Sequence, residues 1–148
     1  MEKGERDRNI LNLKELLTGL PNQLRYIKRF SNCRTVLNET VSDHSFYTTL
    51  IAMFMAERLE LQPEEELLLL RRCLIHDLDE VITGDVIHQV KHYNPQINSG
   101  IKDMALVKLA EMLEKILPLR WQNVWSSYHM AKDDTIVGRL VAFCDYAS

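Results

Sequence analysis

The sequence predicts an all-α fold, a single domain in which about six to eight helices pack as a bundle. Apolar residues recur three and four apart, the period of one helix face, and no segment keeps the strict alternation of a half-buried strand. Glycine and proline are scarce, five and four in 148 residues, so little punctuation divides the chain. A hydrophobic content of 46% at this length suits one sizeable core, which sets the expectation of one domain over residues 1–148.

Ile10, Leu13, Leu16 and Leu17 form a first helical stripe that stops near Gly19-Leu20-Pro21. A short second helix is expected from Pro21 to Phe30, followed by a loop from Ser31 to Val41. Ser42 or Asp43 is placed to cap a long helix ending near Leu59, with Phe46, Leu50, Met53 and Phe54 turned inward. Pro63 suits the first turn of the next helix. That helix, Glu64 to Asp77, carries Leu67 to Leu70 and Cys73-Leu74-Ile75. It is apolar nearly all round and is expected to be the central, most buried element. Thr83-Gly84-Asp85 then breaks the pattern. The polar stretch from His88 to Gly100, with Asn94-Pro95 inside it, reads as a short helix and a loop. Two helices are expected from Ile101 to Leu117 and from Pro118 to Met130, and a last one from near Asp133 to the end.

Composition narrows the function. A net charge of −3 and a pI of 5.9 leave no basic face for nucleic acid, so an anionic ligand must be met locally. Cys33, Cys73 and Cys144 are odd in number and contain no CxxC pair, which argues against a disulfide scaffold or zinc knuckle and for a reducing cytoplasm. The polar start MEKGERDRN leads into no apolar h-region, and no long apolar run follows anywhere, so no membrane association is expected. GxSxG, Walker and GxGxxG patterns are absent.

His76-Asp77 closes an apolar helix in LLLLRRCLIHDLDEVITGD, where buried ionisable groups need a partner or a metal. Alone, the dipeptide is weak evidence and is better explained as a satisfied helix-end pair. His44 and Asp145 strengthen the metal reading, since each stands in its own helical segment among apolar neighbours. Two imidazoles and two carboxylates make a mixed nitrogen and oxygen site for one divalent ion: Mn, Fe, Co, Ni or Zn rather than Cu(I). Sliding the last helix by one turn would offer Val141 in place of Asp145, and valine cannot bind metal.

The blocks TVSDHS at Thr40–Ser45, HDLDEVITGD at His76–Asp85 and LVAFCD at Leu140–Asp145 resemble the HD-domain superfamily of metal-dependent phosphohydrolases. Within it, the chain is most similar to the bacterial 5′-deoxynucleotidases, over roughly residues 10 to 148. The resemblance implies an HD-domain helical bundle around a metal held by His44, His76, Asp77 and Asp145. It implies hydrolysis of a 2′-deoxynucleoside 5′-monophosphate, with Glu80 and Asp85 catalytic. Arg29 would grip phosphate, Phe30 would pack on the sugar where the best-known member has Trp, and Lys91 matches a family lysine. A cytoplasmic homodimer with a nucleotide substrate is also implied. The blander alternatives are helix-end caps for Glu80 and Asp85, a surface arginine beside a core phenylalanine, and a solvated Lys91. A chain ending three residues after Asp145 is shorter than usual for the family, and the apolar face left by missing helix would favour a dimer.

Two other functions compete: removal of triphosphate from a deoxynucleoside triphosphate by the same metal site, and a non-catalytic regulatory or assembly module that keeps the metal for folding. Intact Glu80 and Asp85 weigh against the second. His88 and His92, four apart, are read as solvent-exposed, His129 as a helix-surface residue, and Trp121 and Trp125 as a packing stripe.

Overall fold

A computed structural model describes residues 12–30, 38–85, 93–129 and 132–148. Its helices are α1 (Leu13–Thr18), α2 (Val41–Leu59), α3 (Pro63–Ile75), α4 (Glu80–Thr83), α5 (Pro95–Ile116), α6 (Leu119–His129) and α7 (Ile136–Ala147), with a 3-10 turn at Leu20–Arg25. Among the described residues there is no strand, only one isolated antiparallel bridge between Lys28 and Thr40. The all-α expectation stands. Among the described residues no helix is long and apolar enough to cross a membrane.

Two apolar clusters hold the bundle. In one, Leu109, Met112 and Leu113 of α5 pack on Ile75, Leu78 and Val81 at the end of α3 and the start of α4. In the other, Ala52 and Ala56 of α2 let that helix approach Leu69 and Cys73 of α3 and Val137 and Val141 of α7. Residues of α3 enter both clusters, so its central place is confirmed. Its burial is one-sided, however: Leu69, Cys73 and Ile75 are inside while Leu67 and Leu74 are exposed.

The inward face of α2 is the reverse of the one expected. Val41, His44, Ser45, Thr48, Ala52 and Ala56 are buried, and Phe46, Leu50, Met53 and Phe54 are exposed. The stripe facing the bundle is made of small and polar residues, because close helix approach and an inward imidazole both require them. The cap of α2 also lies earlier than Ser42. Thr40 Oγ1 accepts from Asp43 N–H at 3.2 Å, and the Asp43 carboxylate accepts from Thr40 N–H at 2.9 Å, a reciprocal capping box. The Thr40 hydroxyl, donating to the Asp43 carboxylate at 2.7 Å, and the Thr40 N–H together hold that carboxyl below its ordinary range.

Other boundaries move for similar reasons. The segment after Pro21 makes only the 3-10 turn, and the chain then runs extended beside residues 39–41. Arg29 N–H donates to Glu39 O and Val41 N–H donates to Ile27 O, both at 2.9 Å. Asn94-Pro95 is a cap and first helical residue rather than a turn, with Asn94 Oδ1 accepting from Gln96 N–H at 2.9 Å, so α5 starts before Ile101. Thr135, not Asp133, caps α7. Asp133 lies in the preceding loop and accepts from Arg72 at 3.0 Å.

Candidate metal centre

Three stretches of chain bring four side chains together. His44 stands in the first turn of α2 and is fully buried. His76 caps the C-terminus of α3, Asp77 follows it, and Asp145 lies in the last turn of α7. One ligand atom from each lies within 4.8 Å of the others. His44 Nε2 is 2.8 Å from Asp145 Oδ1 and 3.6 Å from Asp77 Oδ2. His76 Nε2 is 3.1 Å from Asp77 Oδ2 and 3.4 Å from Asp145 Oδ1.

The chemistry of this donor set fits a cation. His76 Nδ1 lies 2.7 Å from the Cys73 carbonyl, which can only accept, so Nδ1 carries a proton. In the neutral ring Nε2 is then a lone pair, buried without a hydrogen-bond partner and facing two carboxylate oxygens. Such an arrangement calls for a proton or a metal ion between acceptors. Burial pulls the His76 imidazolium down, but Asp145 and Asp77 outweigh it and lift its pKa to about 10. Burial likewise opposes ionisation of both aspartates, yet His76 holds Asp77 below the ordinary carboxylate range, and His44, His76 and Lys132 do the same for Asp145.

The surroundings of His44 Nδ1 contain residues that no sequence pattern flagged. Ser148 Oγ lies 2.8 Å away and in turn meets Thr48 Oγ1 at 2.8 Å. The Arg29 guanidinium closes on the same ring nitrogen and donates to Glu39 Oε1 at 3.0 Å. Arg29 also lies 4.9 Å from the centroid of the Phe30 ring. Phe30 has a left-handed backbone, φ 53°, and its N–H donates to Asp85 Oδ2 at 2.7 Å. Strained backbone of this kind persists where its surroundings hold it. Arg29 thus contacts His44 of the cluster, while its chain neighbour Phe30 is held to Asp85, 55 residues further on.

Glu80 is buried but stands outside the four-residue cluster. The helix does not continue regularly through the His-Asp pair: Leu78 N–H donates to Ile75 O at 2.9 Å and Glu80 N–H to Asp77 O at 3.0 Å, three-residue bonds that tighten the path. Lys91, His88 and His92 lie outside the described residues. His129 is not a free surface residue, since its Nε2 pairs with Asp79 Oδ1 at 2.7 Å. Trp125 packs on the core whereas Trp121 is exposed, with Arg120 over its ring. Cys73 and Cys144, distant in sequence, meet as buried free thiols between α3 and α7.

An all-α bundle that converges two buried histidines and two partly exposed aspartates on one point has the HD-domain architecture. The fold is similar to that of an HD-domain phosphohydrolase from Listeria innocua, with a TM-score of 0.75 and 21% identity over 91% of this chain and 65% of that one. It is also similar to a conserved hypothetical protein from Pyrococcus furiosus, with a TM-score of 0.60 and 24% identity over 92% of this chain and 76% of that one. Residues 17–148 match the YfbR-like 5′-deoxynucleotidase family, and the chain belongs to that family. It is 33% identical to a 5′-deoxynucleotidase from Pectobacterium atrosepticum over 131 residues, which is 84% of this chain and 66% of that protein. It is 32% identical to the 5′-deoxynucleotidase YfbR of Salmonella arizonae over 138 residues, again 84% of this chain and 66% of that protein. The chain thus spans 66% of the length of these relatives.

Proposed function

We propose that the protein is a metal-dependent phosphoric monoester hydrolase that removes phosphate from 2′-deoxynucleoside 5′-monophosphates. The observation that carries this is the placement of His76 Nε2, buried and facing carboxylate oxygens of Asp77 and Asp145. His44, His76, Asp77 and Asp145 would hold one divalent ion of the Mn, Fe, Co, Ni or Zn group. When bound, that ion supplies Lewis acidity to the phosphoryl oxygen and makes water a nucleophile near neutral pH.

The remaining residues of this chain divide the other tasks. Arg29, already beside His44, grips the phosphate with its planar fork. Phe30, with 47% of its surface exposed, offers an aromatic face to the sugar. Glu80 takes the proton of the attacking water, and Asp85, which anchors the Phe30 backbone, serves the proton delivered to the leaving 5′ oxygen. Lys91 is a further phosphate contact on the family resemblance alone. The relatives' description as 5′-deoxynucleotidases supports the substrate class. The exposed apolar face of α2 supports a homodimer, and the unpaired cysteines Cys73 and Cys144 support a reducing cytoplasm.

The test is metal analysis of the purified protein with product analysis over deoxy- and ribonucleoside mono- and triphosphates. Orthophosphate release from deoxynucleoside monophosphates, lost on chelation, is the expected result. Triphosphate release from deoxynucleoside triphosphates would replace this reading with the triphosphohydrolase one.

A further inference from the structure

The two oxygens of Asp145 have different neighbours. Oδ1 points into the cluster, 2.8 Å from His44 Nε2 and 3.4 Å from His76 Nε2. Oδ2 pairs with the ammonium of Lys132, which comes from the loop ahead of α7. The Lys132 side chain is 48% exposed and that of Asp145 is 23% exposed, so the cation approaches from the solvent side. It engages the oxygen turned away from the two imidazoles and leaves the inward one to them.

We infer that Lys132 is a positioning residue of the metal centre: by pinning Asp145 Oδ2 it keeps Oδ1 turned toward the two histidines. This rests on the metal reading given above. The terminal torsion of an aspartate is broad, so a carboxylate held at one oxygen can swing. A partner on the second oxygen restricts that swing, and such outer contacts of metal ligands contribute measurably to affinity. The opposite physics is an ammonium that merely competes with a metal ion for Asp145. In that case removing Lys132 would tighten metal binding, so the sign of the change decides between the two.

The experiment is Co²⁺ titration of the full chain, followed by equilibrium dialysis and by the visible absorption of bound Co²⁺, for the wild type, Lys132→Met, Lys132→Arg and His76→Ala. Lys132→Met is expected to raise the Co²⁺ Kd by about 10-fold or more and to alter the absorption spectrum at saturation. Lys132→Arg, which can reach the same oxygen, is expected to restore most of the affinity and the spectrum. Melting curves in chelator establish that the variants fold, and Lys132→Gln replaces Lys132→Met if the latter does not. Unchanged or tighter binding in Lys132→Met overturns the inference while leaving the metal site intact. Wild-type binding no better than that of His76→Ala overturns the metal reading itself, and the inference with it.

Discussion

The Cys73 carbonyl fixes the tautomer of His76, and much of the site's chemistry follows from that one hydrogen bond. With Nδ1 committed as a donor, Nε2 can serve only a proton or a metal ion. In chelator, therefore, the His76 imidazolium should support the fold, and its raised pKa gives the direction. The contribution is complete below the ordinary imidazole value of 6.5 and is lost as pH rises through about 10. Asp145 acts with the other sign: its depressed pKa contributes stability above the ordinary value of 3.8 and loses it as pH falls through the depressed value. The melting temperature of the chelated protein should thus be highest between 3.8 and 6.5 and decline toward pH 10, and a calorimetric series across pH checks this. Glu80 belongs to the same scale. Glu80→Gln should leave metal content unchanged and lower kcat by about 10²- to 10⁴-fold, the usual worth of a general base. Metal analysis alongside steady-state rates separates this from loss of the ion. Of these residues His44, His76, Asp77 and Asp145 were legible in sequence, because an ionisable group among apolar neighbours is costly unless partnered. Lys132, Glu39 and Ser148 were not, because polar residues in polar segments are ordinary and nothing local marks them.

Helix α2 shows where reasoning at the level of elements succeeds and where it does not. Its existence and its end at Leu59 follow from periodicity, but both stripes of the helix repeat at the same spacing, so periodicity alone cannot choose the inward one. Ranking by hydrophobic bulk selects Phe46, Leu50, Met53 and Phe54, whereas the bundle needs the smaller Ala52 and Ala56 to bring α2 close. The cap moved for a related reason: Thr40 and Asp43 act as a pair, and a search for one capping residue finds only half of it. Thr40→Ala should cost about 1 kcal/mol of stability, measured by denaturant titration. Because α2 carries His44 in its first turn, metal affinity should weaken as well. In α7, a methyl group at Gly138 would collide with the backbone of Asp133. Gly138→Ala should therefore cost about 1–3 kcal/mol, the range for overpacking, and displace the loop that delivers Lys132 to Asp145. A lowered melting midpoint together with weaker Co²⁺ binding is the expected pair of results.

Over the whole molecule, the outward side of α2 presents Phe46, Tyr47, Leu50, Met53 and Phe54, each about half exposed or more. A contiguous apolar surface of this kind marks a contact with something else, and self-association is the proposed use. Sedimentation velocity should show a dimer that Phe46→Glu with Phe54→Glu converts to monomer without loss of helix content. The all-α class and the family blocks were readable without coordinates; the reversal of α2 that creates this surface was not. The link between His44 and Asp145 has a kinetic side too. It joins positions 101 residues apart in a chain of 148, so a long loop must close before the site exists. The binding centre should be among the last features to form during folding, and an ion seated there would act as a clasp across that loop. Chelation is then expected to accelerate unfolding in stopped-flow measurements more than it slows refolding.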